Sequence, residues 1–173
     1  MDPEPLVIYR DVGEVEAAVA EAVAAVPLTR WTSAWGADDV DHSQGGSVWT
    51  ESDLPLTATR PTSGRHLEYS VSIEDAPAAS RAASRAPLGE VQVPADLAIV
   101  FWYRLRSGSK RRDTRAAAAL AHDVVRWLAH EGPEGVDLDP VRVYRPGRPL
   151  AQEWYPVEIR LRATFTLTLS QLG

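Results

Sequence analysis

Histidines at metal-ligand spacing, clustered carboxylates and a serine on a tight turn are the residue patterns that most often do chemistry. The chain has four histidines, His42, His66, His122 and His130, and none stands in a His-x-x-x-His pair or at another zinc-ligand spacing. His122 and Asp123 are neighbours, but they fall across from the apolar stripe of a helix and read as a solvated pair. Asp38, Asp39, Asp41 and His42 form the dense acidic cluster of the chain. They lack the Asp-x-Asp-x-Asp-Gly register of a calcium loop and read as an exposed turn. No Gly-x-Ser-x-Gly elbow occurs. Ser107-Gly-Ser-Lys110 lacks both the first glycine of a phosphate loop and the Ser or Thr that follows its lysine. Nothing singles out Glu153 and Glu158 as an acid and base pair. No catalytic residue, cofactor or metal is assigned, and the chain is not expected to be an enzyme.

Charge is the better guide. Residues 31–53 hold Asp38, Asp39, Asp41, Glu51 and Asp53 with no Lys or Arg. Residues 104–115 hold Arg104, Arg106, Lys110, Arg111, Arg112 and Arg115 against Asp113 alone. Such patches can pair within one fold or meet between neighbouring copies, where complementary charge fixes register more than it adds affinity. A head-to-tail contact of that kind generates rings. The basic patch can also face DNA or another partner. The candidate subunit-interface residues are Asp38, Asp39 and Asp41 on the acidic side and Arg106, Lys110, Arg111 and Arg112 on the basic side. Arg81 and Arg85, from an Ala/Ser/Arg loop, join them. Trp102 and Trp127 read as core, while Trp31, Trp35, Trp49 and Trp154 lie near turns or strand ends, where local core and partner contact are both open.

These side chains need a frame. Residues 11–26 predict a helix: Asp11 and Glu14 fit a capping box, Val15, Ala18, Val19, Ala22, Val23 and Val26 form one stripe, and Pro27 stops it. Short strands are expected near 28–33, 46–50 and 55–60, and a half-buried strand over 66–74. Residues 75–90 lack large apolar side chains apart from Leu88 and are expected to protrude as a long hairpin connection. A long strand over 91–106 leads through a basic connection into a helix from Asp113 to about Glu131, with Asp113 or Thr114 as N-cap and Gly132-Pro133 as stop. Val141, Val143 and Tyr144 suggest a strand, and 157–169 alternates strictly, with apolar residues at odd positions. The expectation is one α+β domain over residues 1–173, a mostly antiparallel β-sheet with two helices packed on it.

Composition sets the outer bounds. A chain of 173 residues can bury about 70% of its unfolded surface without disulfides or metals, and cysteine is absent. The basic residues are seventeen Arg and one Lys, a bias from which no function is read. A net charge of −6 argues against general nucleic-acid affinity, which rests on phosphate neutralisation. No apolar run is long enough to span a membrane, and the acidic start Met-Asp-Pro-Glu-Pro is unlike a signal peptide. An intracellular soluble protein is expected.

Three stretches resemble the tail terminator proteins of long-tailed bacteriophages, including those of prophage-derived particles such as gene transfer agents. They are the helix Glu14-Val-Glu-Ala-Ala-Val-Ala-Glu-Ala-Val23, the strand-to-helix unit from Leu97-Ala-Ile-Val-Phe-Trp-Tyr103 to Leu128, and the ending Pro140-Val-Arg-Val-Tyr144 followed by the strand from Val157 to Leu167. The likeness is one of pattern and order over most of the chain. It departs from compact members through the Trp-rich region 28–60 and the loop 75–90. The resemblance implies a structural virion protein assembled in the host cytoplasm. Its copies would form a ring, most often a hexamer, on the head-proximal end of the tail tube, end tail growth and join the tail to the head connector. The implied partners are itself, the tail tube protein and a head-completion or connector protein, with DNA only passing through the lumen and no membrane. Two other readings stand beside it. One is another neck, tail-completion or tail-tube protein, although tube subunits usually carry few helices. The other is a small ferredoxin-like enzyme or ligand-binding domain, which would need a concave pocket with convergent polar groups.

Overall fold

The computed structural model of the chain describes residues 7–29, 31, 40–41, 66–77, 89–106, 108–149 and 154–168, the side chains of 40 and 41 excepted. Among these residues the order is α1 (Val12–Ala24), β1 (Val40–Asp41), β2 (Leu67–Asp75), β3 (Glu90–Arg104), α2 (Lys110–Glu131), β4 (Asp137–Pro146) and β5 (Trp154–Thr168). The expected α+β class is observed. One sheet runs β1-β2-β3-β5-β4, with β2 to β5 antiparallel and the two-residue β1 parallel to β2.

The two long strands, β3 and β5, pair from Glu90↔Thr168 to Arg104↔Trp154. Alternation in β5 buries Val157, Ile159, Leu161, Ala163 and Phe165 on one face. They share a core with Leu97, Ile99 and Phe101 of β3, Val15, Val19 and Val23 of α1, and Leu120, Val124 and Leu128 of α2. Full burial of each large apolar side chain there stabilises the fold by about 1.5–3 kcal/mol. The helices are also tied to each other, since Trp127 Nε1 donates to the Ala22 carbonyl at 3.1 Å.

Asp11 caps α1 as expected, accepting from Glu14 N at 2.8 Å. The reciprocal half of the capping box lands one residue early, with Glu14 Oε2 accepting from Arg10 N at 2.8 Å. The second helix begins earlier than expected. Ser109 is its N-cap, accepting from Arg112 N at 3.4 Å, so 110–112 form the first helical turn instead of a connection. Asp113 does not cap because it points inward: it is fully buried, and its Oδ2 accepts from Arg106 N at 3.1 Å.

Three further expectations are corrected. The strand near 28–33 is not one, because Thr29 and Trp31 are helical and Trp31 is buried edge-on to Tyr103, with ring centroids 6.1 Å apart. The packing of one large ring outweighs the local pattern. The final strand starts at Trp154 and runs through Pro156. Proline is tolerated because its carbonyl accepts from Gly147 N, just past the last β4 pair Pro146↔Val157. Its missing donor therefore faces the side where β4 has ended, and the β3 ladder loses nothing. Finally, β2 is not half-buried, since Glu68, Ser70 and Ser72 are buried along with Leu67, Tyr69 and Val71. The strands expected at 46–50 and 55–60 lie outside the described residues, as does the middle of the 75–90 connection. The strands it joins, β2 and β3, are antiparallel neighbours.

Candidate functional site

Antiparallel pairing sets Tyr103 and Arg104, the end of β3, against Tyr155 and Trp154, the start of β5. The chain then turns through Gly108, whose positive φ of 72° suits glycine, into the first turn of α2. Arg104, Arg106, Lys110, Arg111, Arg112 and Arg115 are thereby gathered at one end of the sheet. Beneath them lies an aromatic layer. Tyr155 stacks on Tyr103 at 5.5 Å, and Tyr103 meets Trp31. Lys110 Nζ stands 5.2 Å from the Tyr155 ring centroid, and the Arg104 guanidinium 5.3 Å from that of Trp154. Tyr103 Oη also shares a hydrogen bond with Thr114 Oγ1 at 3.2 Å. Burial pushes the Tyr103 phenol up, so it stays protonated at neutral pH.

Arg106, Lys110, Arg111, Arg112 and Arg115 are exposed. A cation in the first turn of a helix opposes the macrodipole, at roughly 0.3–1 kcal/mol each. Asp113, in the same turn, offsets part of that. These cations do not stabilise α2. They form a concentrated positive surface on a chain whose net charge is −6.

Of the interface candidates, the structure brings Arg106, Lys110, Arg111 and Arg112 together. Asp38, Asp39, Arg81 and Arg85 lie outside the described residues. Asp41 is described by its backbone, which pairs with Glu68, itself opposite Trp102. Asp41 and the basic cluster thus share one end of the sheet. His66 is partly buried beside that end, and burial first, then the Arg104 charge, pushes its imidazole pKa down, against a smaller upward pull from Asp113. His122 is exposed.

Sequence reasoning passed over a second constellation on the sheet face away from the helices. Glu158 is 1% exposed, with Arg160 Nε at 2.9 Å and Arg145 at 3.8 Å. Arg160 also reaches Glu74 at 2.7 Å, and Arg162 pairs with Asp96 at 3.1 Å. Burial pushes the Glu74 carboxyl up even with Arg160 beside it. The signal is present in the sequence as charged residues at even positions of β5, but alternation by itself names only the apolar face as buried. Among the described residues, the hydroxyls of Ser70 and Ser72 on the same face are buried without a hydrogen-bond partner. Among the described residues, no group of three or more His, Cys, Asp or Glu side chains is placed to hold a metal ion, and no helix is long and apolar enough to cross a membrane.

The chain matches no known family model and no curated protein. Among the described residues, an open cleft of about 470 Å³ lies between the C-terminal ends of α1 and α2, lined by Val26, Pro27, Thr29, Asp123, Arg126, Trp127, His130 and Glu131.

Proposed function

We propose that this chain is a structural subunit of a ring that caps the head-proximal end of a phage-type tail tube, ends its growth and joins it to the head connector. The resemblance in the sequence supplies the role. The observation that carries it is the unit β3–α2–β4–β5, with helices on one sheet face, which has the element order the resemblance implies. The gathered cations at one end support an assembly role, because they form a concentrated positive surface that an oppositely charged partner can meet. Ring formation suits a protein with oppositely charged surfaces, since each copy offers both halves of a contact. The chain would act in the virion neck, with the tube protein and a connector protein as partners, and the work is binding, not catalysis.

The test is tube polymerisation. Purified chain added to growing tail tubes is expected to halt elongation and to leave a ring at one end of each tube in negative-stain micrographs. Tubes that lengthen at the same rate with and without the chain would overturn the reading.

A further inference from the structure

The two ends of α2 carry opposite charge, and both oppose the helix dipole. Its first turns present Lys110, Arg111, Arg112 and Arg115. Its last residue is Glu131, and from Trp127 to Val141 the chain holds Glu131, Glu134, Asp137 and Asp139 with no Lys or Arg. All four of these carboxylates are exposed. Asp113 and His130 favour the dipole, but the exposed majority at each end does not. Charges placed against the helix that carries them point to a use outside it.

The acidic end also has a shape. The cleft there is lined on its apolar side by Val26, Pro27 and the Trp127 indole, whose Nε1 is held by the Ala22 carbonyl. Its charged side carries Glu131, with His130 and an Asp123–Arg126 ion pair at 3.7 Å. The C-terminal ends of α1 and α2 converge on it, adding negative partial charge. An indole face beside a carboxylate and helix C-termini suits an arginine or lysine side chain, whose stem packs on the ring while its head meets the acid.

We infer that the basic N-terminal end of α2 in one copy docks into the acidic cleft at the C-terminal end of α2 in the next copy. Charge complementarity selects a second copy as the occupant. The two ends cannot meet within one chain, since a 22-residue helix holds them about 33 Å apart. The backbone of Asp41, by contrast, lies at the basic end of its own subunit, while the cleft stands at the far end of α2. A contact between different surfaces of identical copies is the kind that propagates head to tail and closes into a ring. The contact presupposes the ring proposed above and names the surfaces that make it.

Charge reversal tests it at low ionic strength, where the Debye length exceeds about 10 Å. R111E/R112E reverses two charges at the basic end and cancels its excess of cations, and E131R/E134R does the same to the carboxylates at the acidic end. All four residues are exposed, so both variants are expected to keep the wild-type unfolding transition. By light scattering, wild type is expected to form a closed oligomer, and each variant alone to associate at least about tenfold more weakly. An equimolar mixture is expected to recover the wild-type mass, because the carboxylates introduced by R111E/R112E in one variant can meet the guanidinium groups introduced by E131R/E134R in the other, while the unchanged ends still pair. A monomeric wild type, a variant that assembles alone as wild type does, or a mixture that stays dissociated would overturn the contact. Tube capping by wild type is scored separately. Capping with a failed mixture rejects this contact alone, and a recovered mixture without capping rejects the tube-end role alone.

Discussion

Glu158 shows how much one ionised side chain depends on its neighbours. It is 1% exposed in the middle of β5, and Arg160, at 2.9 Å, is its close cationic partner. Arg145 stands further off at 3.8 Å. Removing one member of a buried pair leaves the other charged in a poor solvent, at about 3–5 kcal/mol. Removing one member of an exposed pair costs about 0–1 kcal/mol. Arg160→Ala is therefore expected to lose about 3 kcal/mol in urea unfolding. Arg162→Ala, whose pair with Asp96 is half exposed, is expected to lose no more than about 1 kcal/mol. Equal losses from the two substitutions would show that the Glu158 network is not buried in solution.

Among the elements, the sheet edges are where unwanted pairing must be prevented. The β4 edge is blunted by Pro140, Pro146 and two register shifts, with Asp137, Asp139, Arg142 and Arg145 along it. On the other edge, among the described residues, β1 covers β2 only at Leu67 and Glu68. Further along β2, α1 takes over, because Glu16 Oε2 accepts from the Ile73 amide at 2.9 Å. A helix side chain thus closes a strand donor that no described strand reaches, and anchors α1 at the same time. Glu16→Ala is expected to speed hydrogen exchange at the Ile73 amide by about tenfold, the loss of one charge-assisted hydrogen bond. Exchange at the Ile99 amide, in the middle of β3, should not change. An unchanged Ile73 rate would mean that this contact does not hold in solution.

For the whole molecule, the pH dependence of stability has a distinct contribution from His66. Burial and Arg104 depress its folded pKa below the unfolded value of about 6.5, so the unfolded chain binds the proton more readily. Stability from a neutral His66 is then fully present above about pH 6.5 and is lost as pH falls from there through the folded pKa. Urea midpoints measured at pH 7.5 and 5.5 are expected to fall less for His66→Asn than for wild type. The same fall in both would remove His66 from the account. At this scale the molecule is also polar in the electrical sense, with cations at one end of α2 and carboxylates at the other, an arrangement that neither helix nor sheet requires.

What the sequence determined by itself is what local periodicity and capping chemistry can write. The strict alternation of 157–167 names the buried face of β5, the valine stripe names the inner face of α1, and Asp11 and Gly132 mark helix ends. Each of these depends on residues within a few positions of one another. What the tertiary structure decided depends on partners far along the chain. Ser109 caps α2 because Asp113 is drawn inward to the Arg106 amide. Trp31 joins a helical turn because Tyr103 offers its ring. Glu158 is buried because Arg160 and Arg145, from two strands, converge on it. The basic cluster was legible as a run from Arg104 to Arg115, and the carboxylates from Glu131 to Asp139 were equally legible but carried no weight alone. Their meaning as opposite ends comes from α2, whose length separates them, and from Val26, Pro27 and Trp127, which two different helices bring together as a cleft. Sequence spacing encodes faces and ends; only packing decides which distant charges share a surface and which are kept apart.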